Sequence, residues 1–177
     1  MQTRAWGPPL WKTSFIMCRN YPDKINEKNQ RHRGLKNHYR TYFVNLQYIL
    51  PCKYCRMSYK RLIREIPIDK YLNSRTDITY WLYLLKDKIN KKLIKQEKAL
   101  LRREISKLNN PSKDQIQKLE KKILYTIPSP PFSNICKEYE QYRAKCGKAK
   151  GKIESCRTPD EPQAVNVNKQ KYNKKPL

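Results

Sequence analysis

The chain predicts an all-α fold. Apolar residues recur at three- and four-residue spacing along most of its length, and strict two-residue alternation is absent. Its 177 residues hold only four glycines, and prolines punctuate the apolar segments at their ends. Hydrophobic residues make up 38% of the chain, enough for one modest core, so one domain plus appendages is expected.

A first helix is predicted to start at Pro8 or Pro9, since proline suits the first helical turn. It carries Trp11, Phe15 and Cys18 on one face and stops at Asn20-Tyr21-Pro22. A polar, basic loop is expected from Asp23 to about Asn37. The second helix then shows Tyr39, Tyr42, Phe43, Leu46, Ile49 and Leu50. Pro51 breaks it and opens the third, with Cys52, Cys55, Tyr59, Leu62 and Ile63 inward and Ile66-Pro67 at its end. Ser74 and Asp77 form a weak capping box for the fourth helix, whose buried positions are Ile78, Trp81, Leu82, Leu85, Ile89 and Leu93. From Lys95 to Lys122 the composition turns charged, around a stop at Asn109-Asn110-Pro111-Ser112 and a fresh capping box at Ser112 and Gln115. This predicts a helical hairpin standing out from the core. Pro128 to Pro131 is a linker, a further helix runs from about Ile135 to Cys146 with Tyr139 and Tyr142, and the Lys-, Asn- and Pro-rich remainder is expected to be disordered.

Lys and Arg outnumber Asp and Glu by 40 to 15, a formal net charge of +25. Such charge attracts polyanions of every kind, nucleic acid and acidic membrane included. It is spread along helix faces and the tail, so solvation is the preferred account over a dedicated nucleic-acid site, and A/T-rich codons explain part of the Lys, Asn, Ile and Tyr content. No apolar run is long enough to span a bilayer and no signal-peptide core follows Met1, so a soluble protein not exported by the usual route is expected.

Six cysteines without a secretion signal argue for redox chemistry or metal rather than a structural disulfide framework. The sharpest motif is Leu50-Pro51-Cys52-Lys53-Tyr54-Cys55-Arg56, a C-x-x-C between two amphipathic segments. Thiols three positions apart at a helix start can close into a strained disulfide and exchange it with an outside pair. The helix N-terminus, Lys53 and Arg56 favour the thiolate there, most of all at Cys52. The same spacing serves zinc, so the motif by itself leaves both open.

The context of the motif narrows the choice. Trp6-Gly7 with Trp11, Tyr21-Pro22, Phe43 and Leu46, Pro51-Cys52-x-x-Cys55-Arg56, Ser74-Arg75, Trp81-Leu82, and Ile89-Asn90-x-Lys92-Leu93 occur in this order. The set resembles the FAD-linked sulfhydryl oxidases, relatives of augmenter of liver regeneration, in the style of members carried by large DNA viruses. The resemblance covers residues 4–95 and 132–146. It implies a four-helix bundle holding FAD with a short fifth helix, usually as a homodimer. Residues 1–95 would be the cofactor-binding bundle, 96–127 an inserted charged hairpin, 128–146 a linker and the fifth helix, and 147–177 a disordered basic tail. The implied reaction is disulfide formation in dithiol-containing client proteins, with electrons passing through Cys52 and Cys55 to FAD and then to O2, giving H2O2. Cys55 would be the thiol beside the flavin and Cys52 the one that exchanges with clients. Gly7, Trp11, Phe15, Lys86, Asp87, Ile89, Asn90, Lys92, Lys95 and Tyr139 would line the cofactor. The implied address is host cytoplasm and virion.

Several positions depart from the family pattern. Phe15 and Lys86 replace histidines, Asp87 an asparagine and Pro8 an arginine. Phe15 can still stack on a ring, and Lys86 can meet a phosphate. Cys146 matches half of a disulfide that staples the fifth helix to the fourth, but its partner position is Tyr83, so that staple should be missing. Cys146 and Cys156 are candidates for a mobile shuttle disulfide, with unpaired thiols as the equal alternative. Cys18 reads as a small buried hydrophobe, and Tyr39, Tyr42 and Phe43 as core or dimer contacts rather than a base-stacking platform. His32 and His38 have no cysteines at zinc spacing, so no metal site is expected. The rival classes are a basic helical protein that kept the bundle and lost FAD, and a zinc or nucleic-acid module.

Overall fold

The computed structural model describes residues 3–143, and these are all-helical. In chain order they form α1 (Thr3–Arg19), α2 (Gln30–Ile49), α3 (Lys53–Glu65), a single 3-10 turn (Ile68–Tyr71), α4 (Arg75–Ser106), α5 (Lys113–Ile123) and α6 (Phe132–Glu140). The tail expected to be disordered and the candidate shuttle pair Cys146 and Cys156 lie outside the described residues.

Three element bounds differ from expectation, each for a local reason. α1 begins at Thr3 and carries Pro8 and Pro9 inside it. Both prolines and Ala5 face solvent, so the carbonyl that Pro9 leaves without an N–H donor is not sealed in the core, and Trp6 packs the early turn against the core. α2 begins at Gln30, inside the predicted loop, because the Asn29 side chain caps it by accepting from the Arg31 and His32 N–H groups. Its first turns carry little apolar signal, so periodicity alone missed them. α6 starts at Phe132, where the ring lies 5.0 Å from Tyr80 and 5.5 Å from Tyr83, and gives way to a turn after Glu140. Aromatic contacts thus join α6 to α4 at Tyr83, the position the resemblance assigned to the absent staple.

The core is built where α1, α2, α3 and α4 meet. Phe15, Cys18, Tyr21, Phe43, Ile78, Trp81, Leu82 and Leu85 are buried in it. Trp81 packs edge-on against Phe43 at 5.1 Å, and its indole N–H donates to the Ile66 carbonyl at 2.9 Å, so this large ring is buried without an orphaned donor. Ile89 and Leu93, expected to be buried, are half-buried, and Tyr42 is exposed rather than part of the core. The connection between α1 and α2 is tied to the start of α4. The Tyr21 hydroxyl donates to the Leu72 carbonyl at 2.9 Å, and the buried Arg75 donates to the Tyr21 carbonyl at 2.7 Å and pairs with Asp23.

α4 runs through 32 residues without a break, across the expected boundary at 95/96, so its second half leaves the core as a rigid arm. Ser74 caps its start by accepting from the Asp77 N–H at 3.0 Å. Asn110, at φ 50°, turns the chain back in the left-handed region that asparagine tolerates better than most residues. The Ser112–Gln115 capping box then starts α5, which returns along α4. The loop after α5 is fixed by Glu97, a buried carboxylate that accepts from the Tyr125 and Thr126 N–H groups and from the Thr126 hydroxyl.

Candidate functional site

The α2–α3 corner determines the geometry of the C-x-x-C. Leu50 ends α2 and is buried, Pro51 turns the chain, and Cys52 is the N-cap of α3 rather than one of its inward positions. From there the Cys52 Sγ accepts from the Cys55 N–H at 3.3 Å. Arg56 folds back to donate to the Leu50 carbonyl at 2.6 Å, which braces the turn and brings a guanidinium near the thiols. One helical turn on, the Tyr59 hydroxyl donates to the Phe43 carbonyl at 2.9 Å and fixes α3 to α2. From α4, Lys92 donates to the Ser58 hydroxyl at 2.7 Å, and Lys88 pairs with Glu65 at 2.9 Å.

This arrangement separates the two thiols electrostatically. Cys52 sits at the outer edge, and its pKa is lowered below the ordinary thiol value by the Cys55 side chain and backbone N–H, which donate to it, with Arg56 adding a smaller attraction. Cys55 packs against the core, and burial raises its pKa to about 11. The neighbouring Cys52 adds to that rise, and Lys92 opposes it. The first proton therefore leaves Cys52. The helix-start argument predicted that order, but the leading cause is the hydrogen bond from Cys55. Both residues are thiols here, as are the buried Cys18 and the half-buried Cys136. Burial raises the Cys18 pKa strongly, which keeps it a neutral core residue.

The residues assigned to the cofactor by resemblance divide into distinct surroundings. Phe15 is fully buried, stacked on Tyr139 at 5.0 Å, with the Lys86 ammonium 5.5 Å from its ring centroid. Burial lowers the Lys86 pKa, partly offset by Glu138. Asp87 is neutralised by Lys91 at 2.7 Å, so the misplaced carboxylate carries its own counter-charge. Trp11 and Ile89 are half-buried against the same core as Cys55. Asn90 donates to the Ile127 carbonyl at 3.3 Å and the Ser129 hydroxyl at 3.1 Å, which ties it to the loop after α5. Lys95 faces an open groove with Lys91 and Lys98.

Two further observations bear on what this region can hold. The Trp6 indole N–H is buried and finds no acceptor among the described residues, although such a donor is normally satisfied. A side chain placed at the half-buried Gly7 would meet no atom within 4 Å, so the space over that turn is open. Half-buried aromatic and aliphatic surface and an unsatisfied donor on α1, with ammonium groups on α4, are the kinds of group that suit a flat heteroaromatic ring joined to a diphosphate. Sequence reasoning did not single out Ser58, the anchor of Lys92. A serine on a polar helix face carries no signal of its own. Among the described residues no three His, Cys, Asp or Glu side chains gather as a metal site requires.

Comparison with known proteins finds a family model and individual proteins similar to this chain. Residues 8–110 match the model of the Erv1/Alr family. A probable FAD-linked sulfhydryl oxidase of Acanthamoeba polyphaga mimivirus is 29% identical over 91 residues, 51% of this chain and 59% of that protein. The FAD-linked sulfhydryl oxidase of African swine fever virus is 25% identical over 91 residues, 51% of this chain and 70% of its own length. The aligned part thus spans less than two thirds of the mimivirus relative. The crystal structure of the yeast Erv1 core aligns over 70% of this chain and 85% of its own, at 18% identity and a TM-score of 0.45.

Proposed function

Because the chain belongs to the Erv1/Alr family, we propose that it is a thiol oxidase that uses FAD to form disulfides in dithiol-containing client proteins. The observation that carries this reading is the paired but unequal C-x-x-C: a low-pKa thiol at the outer edge of α3 and a high-pKa thiol packed against the core beside Lys92. The names of both viral relatives support it.

In the oxidised state a client thiolate attacks the Cys52 sulfur of the Cys52–Cys55 disulfide, and Cys55 leaves and is protonated. The second client thiol then attacks the client sulfur of the mixed disulfide and expels Cys52. The client gains a disulfide, and the pair is left as two thiols. Cys52 suits the outer role because its stabilised thiolate is the better leaving group in that second step. Bound FAD would supply the two-electron acceptor that reoxidises the pair, with O2 taking the electrons as H2O2. Lys92, held by Ser58, would stabilise negative charge beside Cys55 during that transfer. Trp6, Trp11 and Ile89 would bind and shield the ring, and Lys86 would meet the phosphates, with Lys91 keeping Asp87 from repelling them. A homodimer, and an address in the host cytoplasm where virions are assembled, belong to the same proposal.

The test is an absorption spectrum of the purified protein before and after anaerobic addition of dithiothreitol. A flavin band that bleaches with the dithiol and recovers in air is the expected result. Cys55→Ser should abolish dithiol-dependent oxygen consumption while leaving the flavin bound. A colourless protein that takes up no FAD would overturn the proposal in favour of a helical protein that kept the fold without the cofactor.

A further inference from the structure

α4 presents a row of cations that continues outward past the lysines assigned to the cofactor. Lys91, Lys95, Lys98 and Arg102 follow one another at four, three and four residues, so they share one side of the helix. At about 1.5 Å of rise per residue they stand roughly 4.5–6 Å apart along it. With Ile94 and Ala99 they line an open groove of about 300 Å³. All four charged side chains are exposed.

The groove is more than a share of the chain's general excess of lysine. On the same hairpin, the corresponding groove on α5 mixes Lys113 with Asp114 and Glu120. On α4 the nearby carboxylates leave three of the four cations unpaired. Asp87 pairs with Lys91, Glu104 pairs with Lys107, and Glu97 is buried against Tyr125 and Thr126. Among the described residues, Lys95, Lys98 and Arg102 therefore form a row without an ion-pair partner. The row also sits on a stiff support, since α4 is unbroken and α5 is capped and locked beside it.

We propose that this groove binds the phosphate backbone of duplex nucleic acid without reading its sequence. A regular row of cations on an unbroken helix complements a regular row of phosphates, and neutralising each phosphate releases counterions. The groove holds no aromatic ring on which an unpaired base could stack, which favours a duplex over a single strand. Its only apolar lining, Ile94 and Ala99, offers little to anchor the side chains of an acidic polypeptide. Lys95 was also assigned to the cofactor phosphates, so the row proper to this site is carried outward by Lys98 and Arg102. The inference does not depend on the oxidase reading.

The experiment titrates the full chain against a short mixed-sequence DNA duplex across a salt series, following fluorescence anisotropy. It compares wild type with Lys98→Glu/Arg102→Glu and with Lys171→Glu/Lys174→Glu, which changes net charge equally in the basic tail. The groove variant should lose about two units from the slope of log affinity against log salt, and the tail variant much less. Equal losses in the two variants would mean that net charge alone attracts DNA, and would overturn the site. Displacement of the duplex by polyglutamate at matched charge would assign the groove to an acidic polypeptide and overturn it as well. Helical circular dichroism checks each variant. If the charge reversal unfolds the arm, Lys98→Gln/Arg102→Gln gives the same comparison with the same expected loss of slope.

Discussion

Cys52 and Cys55 are chemically identical side chains made different by one helical turn. Cys52, as N-cap, receives hydrogen bonds that stabilise its thiolate, while Cys55 is buried and pushed to about 11. Thiolate reactivity rises as pH climbs through a thiol's own pKa. In the reduced protein, iodoacetamide should therefore label Cys52 with a midpoint below the ordinary thiol value of 9.0, and Cys55 only at much higher pH. Peptide mass mapping across a pH series reads both sites, and earlier labelling of Cys55 would refute the assignment. The motif made these thiols conspicuous in the sequence. Their ranking was legible too, from the helix start, although its leading cause needed the Cys55-to-Cys52 hydrogen bond that only coordinates reveal. Ser58 and the counter-charge of Lys91 on Asp87 were not legible, because neither pairing has a signature in spacing alone.

Among the elements, α4 carries the most information. Its first half was readable from Ile78, Trp81, Leu82 and Leu85, which give a clean apolar face. Its second half reads as charged surface, and what ties the arm together is one buried acid. Glu97→Ala would leave the Tyr125 and Thr126 N–H groups without their acceptor, at a local cost of about 2 kcal/mol. Amide exchange at those two positions should accelerate roughly thirtyfold by native-state hydrogen exchange. Glu97→Gln should restore most of the protection, because its carbonyl can replace the accepting oxygen. Protection unchanged in the alanine variant would show that the loop is held by something other than Glu97. The Ser112–Gln115 cap was predicted and is present, while the α1 and α2 starts were misplaced. A reciprocal Ser–Gln box is a recognisable local signature, whereas the lone Asn29 cap at the end of a polar loop is not conspicuous. Nor is a helix start sustained by Trp6 packing on a distant core.

For the whole molecule, the proposed cofactor makes a thermodynamic demand. A ligand that binds only the folded state stabilises it by about 2.7 kcal/mol when its free concentration is about a hundred times Kd. Adding FAD to flavin-depleted protein should then raise Tm by roughly 5–10 °C. Cys55→Ser should show the same rise, because it removes the thiol chemistry and leaves the nucleotide contacts. No rise in either protein would sink the cofactor reading. The net charge of +25 acts at this scale as well, as a general attraction to polyanions on which the α4 row superimposes a fixed geometry. No helix among the described residues is long and apolar enough to cross a membrane.

By itself the sequence determined the helical class, the membership implied by an ordered set of aromatic and C-x-x-C positions, the placing of two thiols at a helix start, and the capped hairpin. Each of these depends on residues close together in the chain, or on the order of a few strong residues along it. Tertiary structure alone decided which cations face Cys55 and which face outward, that Phe15 is covered by Tyr139 and Lys86, and that Glu97 is buried while its charged neighbours are exposed. Those outcomes depend on the rotation of α4 against α1, α3 and α6, and packing of side chains distant in sequence sets that rotation.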